Sequence, residues 1–338
     1  MSKQRVNQSV HQSKNSRKEH SGVHPTVRSR KGRTKPVPSY LKILSVFMFL
    51  GVSLLMTGTT TFLYKLGLDP VEFYSNMANP YMKLVNIPAG LRREETALKF
   101  AKVLSWDQAQ IDSFLNTAPK DERGSLDGYY LPGPYWVKTT ATGADVANQM
   151  LRNFNSKVSE QILSKNYSGA SNSKAGTKTK TSSVTFTQKM NLDTAVRVAS
   201  IIQREAAGDV DMRIISGVIW NRIFKGMSLD MDATLQYAKA SEQDLKDGLV
   251  ASASSTVVWW PKVVGKDKYI NSPFNTYQNK GLPPTAIANP SLKAIAAAFN
   301  PAKTDCLFYI HDNNRGFHCE KTYEAHKENV QKYLVGKK

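Results

Sequence analysis

The sequence predicts an α+β protein in three parts: one apolar helix near the N-terminus, a small α+β module, and a larger mixed α+β domain. Three observations carry this. Residues Ile43 to Tyr64 form a charge-free run between Lys42 and Lys65. Residues Ser164 to Ser183 (SKNYSGASNSKAGTKTKTSS) hold almost nothing apolar and divide the rest of the chain. On both sides of that divide, helix-spaced and strand-like apolar patterns alternate at short range, as mixed α+β folds do. At 338 residues the chain has room for one sizeable domain plus a smaller module, once a tail and an anchor are set aside.

The first 42 residues are strongly basic. Met1 to Lys42 contain eleven Lys and Arg and a single acid, Glu19, so this stretch holds +10 of the formal net charge of +19. A basic tail invites a nucleic-acid reading. Here no aromatics are interleaved and the tail runs straight into an apolar segment, so no nucleic-acid partner is expected and residues 1–42 read as a disordered cytoplasmic flank. Ile43–Tyr64 (ILSVFMFLGVSLLMTGTTTFLY) has 22 residues, against the roughly 20 needed to span a hydrocarbon core. It shows no polar face, as a buried core helix would, and no A-x-A-like cleavage site follows it. The basic residues that precede it set the orientation. The expectation is a single-pass transmembrane helix at 43–64, with the N-terminus cytoplasmic and the rest of the chain extracytoplasmic.

Residues 66–155 mix short elements. Met82–Ile87 reads as a strand closed by a Pro88-Ala89-Gly90 turn. Arg92–Leu104 places Ala97, Leu98, Ala101 and Leu104 at helical spacing, and a second helix follows from Asp107. Strand, turn, helix, helix resembles a LysM-type βααβ unit. Tyr129, Tyr130, Tyr135 and Trp136 are open to two readings, as core packing or as aromatics that stack on sugars. Ser164–Ser183 cannot bury enough apolar surface to offset ordering, so it reads as a flexible linker.

Residues 185–334 form the larger domain. Helical periodicity runs over Leu192–Ala207, Asp211–Phe224 and Ser291–Phe299. Strands are expected at Leu307–Ile310 and Gly316–Cys319, then a closing helix at Tyr323–Leu334. Asn289-Pro290 reads as a helix entry with Pro at the first position. Cys306 and Cys319 sit at the outer ends of the two strands. A four-residue turn at 311–314 would bring them face to face, and a five-residue turn would shift them out of line, so a disulfide is left open. Half of the six histidines (His11, His20, His24) lie in the tail. Their spacing matches no metal site, and no metal or cofactor is expected. His318 and His326 are placed to pair locally.

Glu205 is the anomaly of the domain. It follows Ile202 by three residues and Val198 by seven, so it shares a helix face with Ala195, Ala199 and Ala206. A carboxylate on an apolar face costs free energy unless paired or kept neutral. In the last turn of a helix the dipole further disfavours its ionisation. Both effects raise its pKa, as a general acid for glycosidic cleavage requires. A salt bridge to Arg204, Arg213 or Arg222 accounts for the same residue structurally.

The surroundings bear on that choice. Ala199-Ser-Ile-Ile-Gln-Arg-Glu-Ala, followed by Ile215-Ser-Gly-Val-Ile-Trp-Asn-Arg-Ile, resembles the catalytic helix and next helix of the MltG/YceG-like endolytic murein transglycosylases. Gly226-Met-Ser-Leu-Asp-Met-Asp-Ala-Thr-Leu-Gln-Tyr is similar to that family's G-M-x-L-x-x-D-P-T-x-x-Y stretch. Ser272-Pro-Phe-Asn-Thr-Tyr and Gly281-Leu-Pro-Pro-Thr-Ala-Ile-Ala-Asn-Pro follow in order, then Asn300-Pro-Ala-Lys-Thr-Asp-Cys-Leu-Phe-Tyr-Ile, His318 and Thr322-Tyr-Glu-Ala-His. The resemblance spans about residues 70–334 and is densest from Ala199. Asp230-Met231 stands where Gln-Ser is more usual, and Ala233 where the family has Pro. The stretch Lys239–Ile270 is long and carries Trp259-Trp260, open to reading as a sugar platform or as a wedge into the core.

The resemblance implies that Glu205 is the catalytic acid/base of a lytic transglycosylase. One carboxyl suffices for that reaction: it protonates the oxygen between N-acetylmuramic acid and N-acetylglucosamine, then takes the proton of the muramoyl C6 hydroxyl as a 1,6-anhydro ring closes. Asp232 would orient Glu205 or a substrate N-acetyl group, or cap a helix. Ser272, Asn275, Thr276 and Tyr277 form a polar cluster that suits sugar hydroxyls, with turn formation an equal account of Ser272 and Asn275. Implied partners are peptidoglycan strands and the peptidoglycan synthases of elongation or division. Two other classes stay in view: a non-catalytic wall-binding or divisome scaffold, and a hydrolytic muramidase, which would need a second carboxylate to activate water.

Overall fold

The structure is a computed structural model and describes residues 39–66, 68–117, 120–121, 124–125, 127–163, 190–247 and 257–335. The basic tail up to residue 38 and the linker at 164–183 lie outside the described residues. The chain divides into two compact units, Met1–Leu68 and Asp69–Lys338.

Among the described residues the first unit holds one helix, α1, Ser39–Lys65. Its threonines stay helical by returning their hydroxyls to the preceding turn, as Thr57 does to Ser53 O and Thr61 to Thr57 O. The helix contains the whole of 43–64. Among the described residues no helix is long and apolar enough to cross a membrane, and the side chains at 39–46 and 49–50 fall outside them.

The second unit begins with α2, Pro70–Met77, capped by Asp69 with Pro at its first position. Strand β1, Met82–Ile87, leads to α3, Arg93–Leu104, and α4, Gln108–Asn116. A minimal hairpin of β2, Lys120–Asp121, and β3, Gly124–Ser125, precedes β4, Gly133–Lys138. β4 returns antiparallel to β1, from Met82 opposite Lys138 to Ile87 opposite Gly133. The strand–helix–helix–strand order read from the sequence is therefore present, with the small hairpin inserted. Val85, Ile87, Phe100, Phe114 and Tyr135 fill its core. Tyr130 and Tyr135 are buried there, and Tyr129 packs on Phe154, so these aromatics are core side chains.

Helix α5, Gly143–Val158, is shared. Val146, Ala147 and Met150 complete the module's core, while Phe154 and Val158, one to three turns on, enter the core of the larger domain. The larger domain continues with α6, Leu192–Glu205; α7, Met212–Phe224; α8, Asp232–Asp247; and α9, Leu292–Phe299. It ends with β5, Phe308–His311; β6, Phe317–Glu320; and α10, Tyr323–Val330. Ala195, Val198, Ala199 and Ile202 of α6 pack with Ala294, Ile295 and Ala298 of α9. Helix α9 starts at Leu292 with Ser291 as its cap, not at Pro290.

Asn289 does something other than open a helix. Buried, its side-chain oxygen accepts from the backbone N–H groups of Gly128 and Tyr130, its amide donates to Thr96, and its backbone pairs with Gly90 and Leu91. These bonds tie the Gly281–Pro290 segment to the module. Gly128 lies at φ 93°, and a Cβ there would fall 2.5 Å from Val196 Cγ1, so the two parts meet too closely for any side chain. Trp259 adds a wedge: it is 9% exposed and sits in the module's core. Trp260 packs against both cores, donates to Glu95 and carries the Arg204 guanidinium 3.8 Å above its ring. Of the two readings of Trp259-Trp260, the wedge describes the structure.

The β5–β6 hairpin pairs Phe308 with Glu320 and His311 with Phe317, leaving five residues between the strands. That register sets Cys319 opposite Tyr309, not opposite Cys306. The two cysteines are nonetheless bonded, with Cα atoms 5.7 Å apart, because Cys306 precedes β5 on a segment that stays beside β6, where Leu307 N–H donates to Glu320 O. His318 and His326 do not pair with each other. His318 stacks on Tyr333 and lies 3.0 Å from Asp312, while His326 leans on Phe308.

Candidate active site

Glu205 is the last residue of α6, two residues short of the end suggested by periodicity, because Ala206 is extended (φ −70°, ψ 133°) and turns the chain away. The apolar stripe of α6 delivers its side chain to a place where α8 and β5 converge. Oε1 accepts from the Ala233 backbone N–H at 3.1 Å, and Oε2 accepts from the Tyr309 hydroxyl at 2.8 Å. Ala233 is the second residue of α8, so its N–H is one of the amides a helix start leaves free. It stands where the resembled motif has Pro, a residue with no N–H to give.

The electrostatics oppose one another. Loss of solvent around the carboxyl pushes the Glu205 pKa up; the donors Ala233 and Tyr309 then pull it down, the nearby Asp232 charge pushes up, and His311 pulls down. Burial prevails, and the pKa stands above the usual carboxylate range. The residue keeps a partly accessible surface, which a group that must meet a substrate needs. Burial and the Glu205 charge hold the Tyr309 phenol well above its ordinary range, so Tyr309 keeps its proton.

The three arginines that offered a structural account of Glu205 are engaged elsewhere. Arg204 lies on Trp260 and reaches Gly90 O; Arg213 donates to Asn300 O; Arg222 donates to Ser228, Leu229 and Leu307 carbonyls and to Asp230. Arg222 thereby fixes the Gly226–Met231 turn, in which Asp230 takes a left-handed φ of 53°.

Asp232 opens α8 beside Glu205 and accepts from the Tyr277 hydroxyl at 2.7 Å. Tyr277, its pKa raised by burial and the Asp232 hydrogen bond, carries the Lys268 ammonium 4.7 Å from its ring. Thr276 and Asn275 stand otherwise. Thr276 is 1% exposed and spends its hydroxyl on Thr234 and on the Met231 N–H. Asn275 is 0% exposed; its amide donates to Lys268 O and Ile270 O, and its oxygen accepts from Tyr277 N–H. Ser272 accepts from Phe274 N–H within the same turn. These bonds brace the loop that presents Tyr277, which is the turn-forming account the sequence held open for Ser272 and Asn275.

Sequence reasoning missed Tyr309, the Ala233 N–H, and the His311–Asp211 pair at 3.1 Å that stands behind them. Tyr309 had a faint signal, a polar-tipped aromatic inside the matched C-terminal segment. The others follow only from tertiary placement. Among the described residues no group of three or more His, Cys, Asp and Glu side chains is arranged to hold a metal ion.

The chain is 28% identical over 221 residues to an endolytic murein transglycosylase of Bacillus subtilis, which covers 64% of this chain and 51% of that protein. It is 26% identical over 236 residues to an endolytic murein transglycosylase of Streptococcus pneumoniae, covering 68% and 36%. The chain thus spans about half, or less, of the length of these curated relatives. A crystal structure of a YceG-like protein from Listeria monocytogenes shares the fold, with a TM-score of 0.52 at 24% identity over 74% of this chain and 76% of that one. The YceG-like family profile matches residues 54–332, and the chain belongs to that family.

Proposed function

We propose that this protein is an endolytic peptidoglycan lytic transglycosylase that cleaves the MurNAc–GlcNAc bond of nascent glycan strands with Glu205 as acid and base. One observation carries the reading most: a carboxyl at the end of an apolar helix face, held by two hydrogen-bond donors and kept above the usual carboxylate range. With its pKa raised, the group holds a proton for transfer to higher pH than an ordinary glutamate does, and can take one back. The names of the curated relatives support the same reaction. Asp232 and Tyr277 flank Glu205 and suit the substrate's polar groups. Residues 43–64 anchor the protein in the cell membrane with residues beyond about 65 outside, the strand–helix–helix–strand unit serves as a LysM-like wall-binding module, and peptidoglycan synthases are its partners.

Asp232 favours one second reading. A carboxylate beside Glu205 is what a hydrolytic muramidase would use to activate water, and the two readings differ in the chain ends they leave. The catalytic role is tested on isolated glycan strands with Glu205→Gln. Turnover falls by at least ~100-fold; a variant as active as wild type removes the mechanism.

A further inference from the structure

The two oxygens of Glu205 are held by different kinds of partner. Oε1 accepts from the Ala233 backbone N–H, a donor that cannot turn round and accept. Oε2 lies 2.8 Å from the Tyr309 hydroxyl, which can do either. That hydroxyl also lies 3.4 Å from Met231 Sδ, so its hydrogen has a second place to point. The Tyr309 ring is fixed, stacked on Phe317, which leaves rotation about the C–O bond as its freedom.

We propose that Glu205 is a divided carboxyl: Oε1 is locked as an acceptor, the transferable proton is confined to Oε2, and Tyr309 is the positioning residue whose hydroxyl turns between Oε2 and Met231 Sδ as that proton leaves and returns. This deepens the transglycosylase reading and rests on it. A proton on Oε1 would confront the Ala233 N–H with another hydrogen. On Oε2 it meets a phenol oxygen whose own hydrogen has turned to sulfur.

The proton count closes on one atom. In the acid step the Oε2–H bond breaks and the proton goes to the glycosidic oxygen, while the bond from that oxygen to the muramoyl C1 breaks and its electron pair leaves with the oxygen. Tyr309 then donates to the carboxylate. In the base step the C6 hydroxyl gives its proton to Oε2 as its oxygen bonds to C1, and Tyr309 turns back to Met231. No water is consumed.

Other groups face this site: Asp232 at the start of α8; His311 on β5, backed by Asp211 at the cap of α7; Arg204 on α6; Tyr277 from its loop; and Arg222 toward Tyr309. They set the absolute pH range. The proposal concerns shifts within it, read from pH–rate profiles of the full chain on isolated glycan strands.

Activity needs the protonated form, so its basic limb follows the Glu205 pKa. Tyr309→Phe keeps the ring and removes a donor to the ionised form, so the limb moves to higher pH. kcat falls roughly ten- to hundredfold, the worth of a hydrogen bond to a charge, with KM within about twofold. Ala233→Pro, tolerated in the first turn of a helix, moves the limb the same way. Met231→Leu is close to isosteric and removes the alternative acceptor, so Tyr309 stays on the carboxylate and the limb moves to lower pH. A merely structural Tyr309 gives no such pair of opposite shifts. A Tyr309→Phe enzyme with wild-type kcat and profile overturns the proposal, and so does a Met231→Leu shift of the same sign as Ala233→Pro. Should Tyr309→Phe fail to fold, opposite shifts in those two variants support the proposal. Glu205→Gln separates the levels: if it is fully active the transglycosylase reading fails, whereas an inactive Glu205→Gln beside an unchanged Tyr309→Phe overturns the divided carboxyl alone.

Discussion

Glu205 carries a thermodynamic cost that the proposed acid/base role explains. Its folded pKa is raised, chiefly by burial. Below the unfolded pKa of about 4.3 the group is neutral in both states and costs nothing; as pH rises through the higher folded value, ionisation draws stability away from the native state. Glu205→Gln removes that ionisation. We therefore expect Glu205→Gln to unfold at the same temperature as wild type near pH 4 and at a higher temperature at pH 8. Paired thermal melts check this, and a gap that closes as pH rises contradicts it. At this scale the sequence was half legible. Helical spacing put a carboxylate on an apolar face and named three arginines as its structural rivals. It was silent on Tyr309 and the Ala233 amide, because their approach depends on where β5 and the start of α8 land. It leaves two readings of Asn275 open, since a polar cluster that braces a loop from inside is written with the same residues as one that faces a ligand.

At the scale of elements, periodicity finds α3, α4, α6, α7, α9 and α10 and the strand–helix–helix–strand order, but it passes over α2, α5 and α8 and errs at ends and joints. Glycine and proline were legible as breaks but not as contacts: Gly128 and Asn289 are the clasp between the module and the larger domain, which no local pattern announces. Gly128→Ala must accommodate a Cβ 2.5 Å from Val196 at a left-handed φ. We expect a loss of at least ~2–3 kcal/mol in urea unfolding; a midpoint within error of wild type contradicts so tight a joint. The C-terminal hairpin makes a second case. Its disulfide closes a loop of sequence separation 13 and braces the strand that holds Tyr309. Replacing Cys306 and Cys319 with Ser should cost about 3 kcal/mol of stability, and should lower kcat more than it raises KM, because the loop that carries Tyr277 is untouched. Equal stability of the oxidised protein and the double variant would refute this.

At the scale of the molecule, charge and hydropathy suggest a tethered enzyme. Ten of the nineteen net positive charges precede the apolar run, and the compact unit from Asp69 onward contains the whole candidate site. If 43–64 is an anchor, the full chain sediments with membranes and resists extraction by salt and alkali, while a chain starting at Asp69 is released yet still cleaves isolated glycan strands. Release of the full chain by alkaline carbonate alone would argue against the anchor. The boundary drawn at residue 155 falls inside α5, whose residues enter both cores.

In the proposed reaction one carboxyl suffices, with the sugar's own C6 hydroxyl as nucleophile. Mass spectrometry of the glycan fragments released by the full chain tests it most directly. New MurNAc termini are expected as 1,6-anhydro rings, absent when Glu205 is replaced by Gln. Fragments bearing ordinary reducing MurNAc ends would contradict it, since water would then be the nucleophile and Asp232 the base that activates it.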